Sequence, residues 1–236
     1  MTLNKVFILY CIYFVAVVSG LISRVSVPYV AVLLLIWSLR APLEEAVLFF
    51  IRSIPLFIAI PLTATYDNLN MWRPLAFLLI ARLIFQKETL AYLLGEWGLF
   101  QQDIAGWIKT HSVFRRCMIL LLLAVLSLIS AAHPIEGIKR IIYFVNLSMI
   151  PVVLYGLIRS GRISTERVIS NLAIPTVIVI AVGFGQILST YFIDVYQFMR
   201  LWGEEIQLRQ FGQEWSYIAV NVGNTWLAYY GDQLSL

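Results

Sequence analysis

Long apolar stretches alternate with short polar gaps along the whole chain. A helix must be about 20 residues long to cross roughly 30 Å of hydrocarbon. On that measure the pattern predicts about seven crossings: Val6–Ile22, Val27–Leu39, Ala46–Leu62, Pro74–Phe85, Cys117–Ala132, Ile138–Ile158 and Val168–Thr190. The second and fourth are short and call for polar flanks, tilt or a re-entrant course. Tyr217–Tyr230 is a poorer candidate, interrupted by Asn221 and Asn224. After the seventh stretch the period changes. Phe192, Val195, Met199, Trp202 and Ile206 recur at helical spacing, while Asp194, Arg200, Glu204, Glu205 and Arg209 fill the other positions. This is the pattern of a helix lying in the headgroup plane. Lys87 to Arg116, with Trp97, Ile104, Trp107 and Ile108 among polar residues, has similar character.

Composition sharpens this picture. Of 236 residues, 61% are hydrophobic and 13% charged, where water-soluble domains run nearer half and a quarter. The expected fold is therefore all-α: a polytopic transmembrane helix bundle with interfacial amphipathic helices. It forms one integral membrane domain, with residues 1–190 as the bundle and 191–236 as an external interfacial segment. Basic residues in the gaps set the orientation. Lys5, Arg40, Lys87, Lys109, Arg115, Arg116, Arg159, Arg162 and Arg167 fall on one side, and Arg24, Arg73, Lys139, Arg140, Arg200 and Arg209 on the other. The richer side is expected to be cytoplasmic, which puts the N-terminus in the cytoplasm of a multi-pass cytoplasmic (inner) membrane protein. The net charge of +4 resides in these gaps rather than in a basic stripe, so the expected partner is a lipid bilayer and not nucleic acid.

Two arginines lie inside apolar stretches. Arg82 stands near the end of the fourth, where its stem can carry the charge to the interface. Arg52 is nine residues from both Leu43 and Pro61, close to the middle of the third. A cation there must face a protein interior or a polar cavity, served either by a partner on another helix or by an anionic substrate. No phosphate loop, dinucleotide fingerprint or zinc-protease motif occurs. Cys11 and Cys117 read as buried hydrophobes. His133 and Glu136 in "AAHPIEG" read as a helix start, with Pro134 in the first turn. No metal site and no cofactor are expected. Gly183 and Gly185 in "AVGFGQILST" could let another helix approach, and Gln186 could bond across helices.

The stretch "LLLLAVLSLISAAHPIEGIKRIIYFVNLSMIPVVLYGLI", Leu120 to Ile158, resembles the bacterial O-antigen ligase and polymerase family of polytopic membrane glycan transferases. The points of resemblance are an apolar helix, the small-residue turn Ala131–Gly137, and a following helix that opens with Lys139 and Arg140. "IPLFIAIPL" and "MWRPLAFLLIARLIF" look like the family's paired third and fourth helices, and "VYQFMRLWGEEIQLRQFG" with "GNTWLAYYG" like its first external segment. The resemblance implies an enzyme that moves glycan from a polyprenyl-diphosphate carrier to a lipid or sugar acceptor at the outer face of the cytoplasmic membrane. Arg52, Arg200 and Arg209 become candidates for holding the diphosphate, because a guanidinium fork matches phosphate oxygens. The external loop with the family's catalytic histidine and its later arginine motif have no counterpart here, so no catalytic residue carries over. The expectation is an N-terminal portion of a longer, complete enzyme. A small transporter with Arg52 in an internal cavity, and a non-catalytic membrane scaffold, are the alternatives.

Overall fold

The computed structural model describes residues 2–61, 69–87, 95, 113–131 and 133–212. It is almost wholly helical. The helices are α1 (Leu3–Val18), α2 (Val27–Arg40), α3 (Leu43–Ser53), α4 (Trp72–Ile84), α5 (Val113–Ser127), α6 (Pro134–Arg159), α7 (Thr165–Ser189), α8 (Val195–Leu201) and α9 (Leu208–Phe211). A π turn, Trp202–Gln207, joins α8 to α9. Two residues of β1 (Ala59–Ile60) pair antiparallel with two of β2 (Leu69–Asn70), Ala59 opposite Asn70 and Ile60 opposite Leu69. Among the described residues the all-α expectation holds apart from this two-residue pairing.

Among the described residues two helices contain stretches long and apolar enough to cross a membrane: Gly137–Arg159 within α6, and Thr165–Ser189. At about 1.5 Å per residue the 25 residues of α7 extend beyond the roughly 30 Å hydrocarbon core. Only 17% of its most apolar window is buried, so its apolar side chains need a non-aqueous surrounding. Both helices carry an internal proline, Pro151 and Pro175, and continue through it. α6 starts at Pro134 with His133 at the N-cap, which is the helix start read from the sequence. Asn146 is buried in the middle of that helix.

The third apolar stretch is the main departure. Ala46–Leu62 is not one helix. α3 ends at Ser53 after 11 residues, a 3₁₀ turn covers Ile54–Leu56, and the chain then extends into β1. Pro55 has no amide hydrogen to give and disfavours helical geometry in the residue before it. The first stretch also stops early. α1 ends at Val18, and Gly20 takes a left-handed conformation with φ of +83°, which glycine adopts without steric cost.

The residues form two compact units. The first comprises Met1–Ala41, Leu48–Leu75 and Ile169–Leu236, the second Pro42–Val47 and Ala76–Val168. The first is centred on Phe49, fully buried, whose ring meets Tyr10 at 5.6 Å and Trp37 at 5.3 Å, both edge-on. In the second, Leu43, Val47, Leu79, Leu83, Val153 and Leu157 are buried. There Arg162 donates to Glu44 at 2.5 Å and to Gln86 at 2.5 Å. Arg82 lies in the field of Glu44 and Arg162, so it has charged neighbours within the protein as well as a stem able to reach an interface. A side chain on Gly137 would meet the tip of Leu128 at 2.5 Å.

Candidate functional site

The break in the third stretch exposes a run of main-chain carbonyls that no helix satisfies. Phe57 to Ile60 are nonetheless buried. A buried carbonyl without a donor costs about 1–3 kcal/mol, so each needs a partner, and each has one. Gln210 Nε2 donates to Pro55 O at 3.1 Å and to Phe57 O at 3.4 Å. The Tyr10 hydroxyl donates to Leu56 O at 2.9 Å. The Met71 amide donates to Ile58 O at 3.1 Å, and Arg24 Nη2 to Ala59 O at 3.1 Å. Five consecutive carbonyls are thus met by α1, the turn after it, the start of α4 and α9. Irregular backbone at membrane depth is tolerated only when buried in protein or lining a wet cavity. The first condition holds here.

Gln210 belongs to the segment α8–π turn–α9, which lies along the first unit. Asp194 caps its start by accepting from the amides of Tyr196 and Gln197. Phe198, Trp202, Ile206 and Gln210 follow at intervals of four, buried or half-buried, and the rings of Phe198 and Trp202 stack at 5.8 Å. Of the face read from the sequence, Val195, Met199, Trp202 and Ile206 are half-buried; Phe192 alone departs, outside the helix and 81% exposed, and Phe198 is buried beside the others. Arg209 donates to Val18 O at 3.0 Å, one of the terminal carbonyls that α1 cannot satisfy itself, and pairs with Glu205.

Between this segment, α1, α7 and the break lies a cavity of about 580 Å³. Phe14 and Val18 of α1, Pro55 and Leu56, and Ile178, Val182 and Gly183 of α7 contribute to its wall. Its polar side chains are two carboxamides, Gln186 and Gln210, each about nine-tenths buried.

The three arginines chosen from sequence have different fates. Arg52 stands at the end of α3 rather than within a continuous span. Its Nε donates to Asn171 at 2.5 Å, its Nη1 to Asn4 at 2.7 Å, and its guanidinium lies 5.7 Å from the ring centre of Phe7. Arg200 is on the exposed face of α8, paired with Glu204 at 3.1 Å. Arg209 serves the far end of α1. Asn4 and Val18 are fourteen residues apart on one helix, or about 21 Å of rise, so the contacts of Arg52 and Arg209 lie at opposite ends of α1. Arg52 is not brought beside Arg209.

Gln210 and Tyr10 were missed as determinants. The available signal was a carboxamide continuing an apolar stripe four residues after Ile206. Among the described residues, nothing lies within 4 Å of where a Cβ on Gly183 or Gly185 would stand, so the close helix approach read from the sequence is not seen between them. Among the described residues no cluster of three or more histidine, cysteine or acidic side chains could hold a metal. The segment around Trp97–Ile108 and the stretch Tyr217–Tyr230 lie outside the described residues. Compared with protein-family models, curated proteins and solved structures, the chain matches none.

Proposed function

We propose that the chain is a multi-pass protein of the cytoplasmic membrane, N-terminus inside and with about seven crossings. In this reading it acts on polyprenyl-diphosphate-linked glycan at the outer face, as a ligase- or polymerase-like glycosyltransferase or as the helical portion of one. The observation that carries this reading is the pairing of an apolar cavity with an amphipathic segment bearing Arg200 and Arg209. A carrier lipid has an oily tail and a dianionic head. The cavity suits the tail, and guanidinium groups at the boundary suit the head. Arg200 is the freer donor for a phosphate, since its glutamate partner is an exposed pair on the same helix and weakly held. Arg209 both caps α1 and stands beside the cavity wall. Arg52, at the other end of α1, serves the bundle through Asn4 and Asn171.

The test is retention of a fluorescent polyprenyl-diphosphate glycan by the reconstituted protein. Arg200→Ala is expected to weaken it about tenfold, the worth of one charge-assisted hydrogen bond. Failure of the wild-type protein to retain the lipid overturns the reading.

The break at Ile54–Ile60 favours a second reading, a transporter with a site at a discontinuous helix. Such sites use unwound carbonyls as ligands, whereas Pro55 to Ala59 already have donors within the protein. The break therefore supports a structural role better than an ion site. Uptake into vesicles abolished by Arg52→Ala would reverse this preference.

A further inference from the structure

The polar gaps after the second, fourth and sixth apolar stretches, which the charge count places on one side, meet at a single side chain of the second unit. Arg162 follows α6 through a Schellman turn. Gly161 takes φ of +71°, its amide donates to Ile158 O at 3.0 Å, and the Arg162 amide donates to Leu157 O at 3.0 Å. Ile163, the next residue, is buried. The guanidinium is then held from the other two gaps, by Glu44 at the start of α3 and by Gln86 after α4, each at 2.5 Å. Backbone and side chain are both fixed before any ligand arrives, which lowers the cost of binding one.

We infer that Arg162 is the fixed donor of a site for the phosphate of an anionic phospholipid in the cytoplasmic leaflet. Glu44 engages Nε and Gln86 engages Nη1, so Nη2 keeps its donors for a ligand. The Arg162 side chain is 36% exposed and that of Glu44 only 12%, so the open face belongs to the cation. Arg82 lies in the field of both and adds a second positive charge. Arg159, three residues before Arg162, is exposed and adds a third. Glu166, the next acid along the chain, is engaged by its own backbone and by Ser164. A guanidinium fork matches phosphate oxygens, and basic pockets between helices on the cytoplasmic side take lipid headgroups. The surroundings favour a lipid over a dissolved anion. Ile84 and Phe85, immediately before Gln86, are 55% and 85% exposed, so acyl chains find an apolar surface beside the cation. In the orientation proposed above, this site and the segment bearing Arg200 and Arg209 lie on opposite faces. It requires that the chain lie in a membrane, and it does not require the carrier chemistry.

The experiment titrates the purified, delipidated full chain in detergent with phosphatidylglycerol or phosphatidylcholine and reads bound lipid by native mass spectrometry. The wild-type chain is expected to hold phosphatidylglycerol the more tightly. Arg162→Ala is expected to weaken that binding about tenfold, the worth of one charge-assisted hydrogen bond, and to leave phosphatidylcholine unchanged. Arg140→Ala removes the same charge from an exposed position at the other end of α6 and should leave both lipids unchanged. Glu44→Gln keeps an oxygen for Arg162 while removing the competing negative charge, and should tighten phosphatidylglycerol binding. That gain keeps the test decisive if Arg162→Ala folds poorly. Equal binding of the two lipids by the wild-type chain, equal losses in Arg162→Ala and Arg140→Ala, or weaker binding in Glu44→Gln would overturn the site. Displacement of phosphatidylglycerol by inorganic phosphate, at an ionic strength where chloride leaves it bound, would overturn the lipid as its ligand in favour of a free anion. Retention of the polyprenyl-diphosphate glycan is read separately, so the failure of one reading is distinguishable from the failure of the other.

Discussion

The third and seventh apolar stretches look alike in sequence, and both contain proline, yet only one is a continuous helix. In α7, Pro175 sits deep inside 25 helical residues, and most of the surrounding carbonyls are met within the helix. Thr176, for example, adds a side-chain bond to Leu172 O at 2.8 Å. In the third stretch Pro55 is followed six residues later by Pro61, which bars the chain from resuming a helix there. A helix supplies its own partners, so α7 can leave its sides exposed. A broken segment must borrow donors, so Phe57–Ile60 has to be buried where Tyr10, Arg24, Met71 and Gln210 can reach it. Burial follows from how the backbone is satisfied, and not from hydrophobicity alone.

The contrast can be broken most forcefully at Gln210. Gln210→Leu removes the donor from one buried and one half-buried carbonyl and should cost about 3 kcal/mol of unfolding free energy, read by denaturant titration in detergent. Tyr10→Phe removes one donor at Leu56 O and should cost about 1–2 kcal/mol. If the uninterrupted helix is self-sufficient, Thr176→Val changes stability by no more than about 0.5 kcal/mol in the same titration. Arg200→Ala should be smallest. An exposed i,i+4 pair contributes about 0.3–0.5 kcal/mol, so the variant should fold normally while carrier-lipid retention falls. Equal costs for Gln210→Leu and Thr176→Val would remove the distinction between the two stretches.

Much of the helical layout was legible because apolar runs and turn residues report it locally. Val27–Leu39 became Val27–Arg40, Ile138–Ile158 became Pro134–Arg159, and Val168–Thr190 became Thr165–Ser189. Pro134 marked its helix start correctly. The break was hidden because Ile58, Ala59 and Ile60 are as oily as any helical residues, and what keeps them extended comes from distant positions. The same reason concealed Gln210, which lies more than 150 residues from the carbonyls it serves. Arg52 was correctly singled out as needing a polar surrounding, but Asn4 and Asn171 could not be identified without the fold. Phe192 fell outside the helical face because α8 starts only at Val195, behind the Asp194 cap.

The central claim is that α7 faces hydrocarbon while the broken segment Leu56–Ile60 is sealed inside protein. The most direct test is labelling of the reconstituted wild-type chain by a carbene precursor dissolved in the acyl region, with adducts assigned residue by residue. The account predicts heavy labelling at Val177, Ile180, Phe184 and Leu188, and none from Leu56 to Ile60. Equal labelling of the two regions, or no labelling of α7, would contradict it.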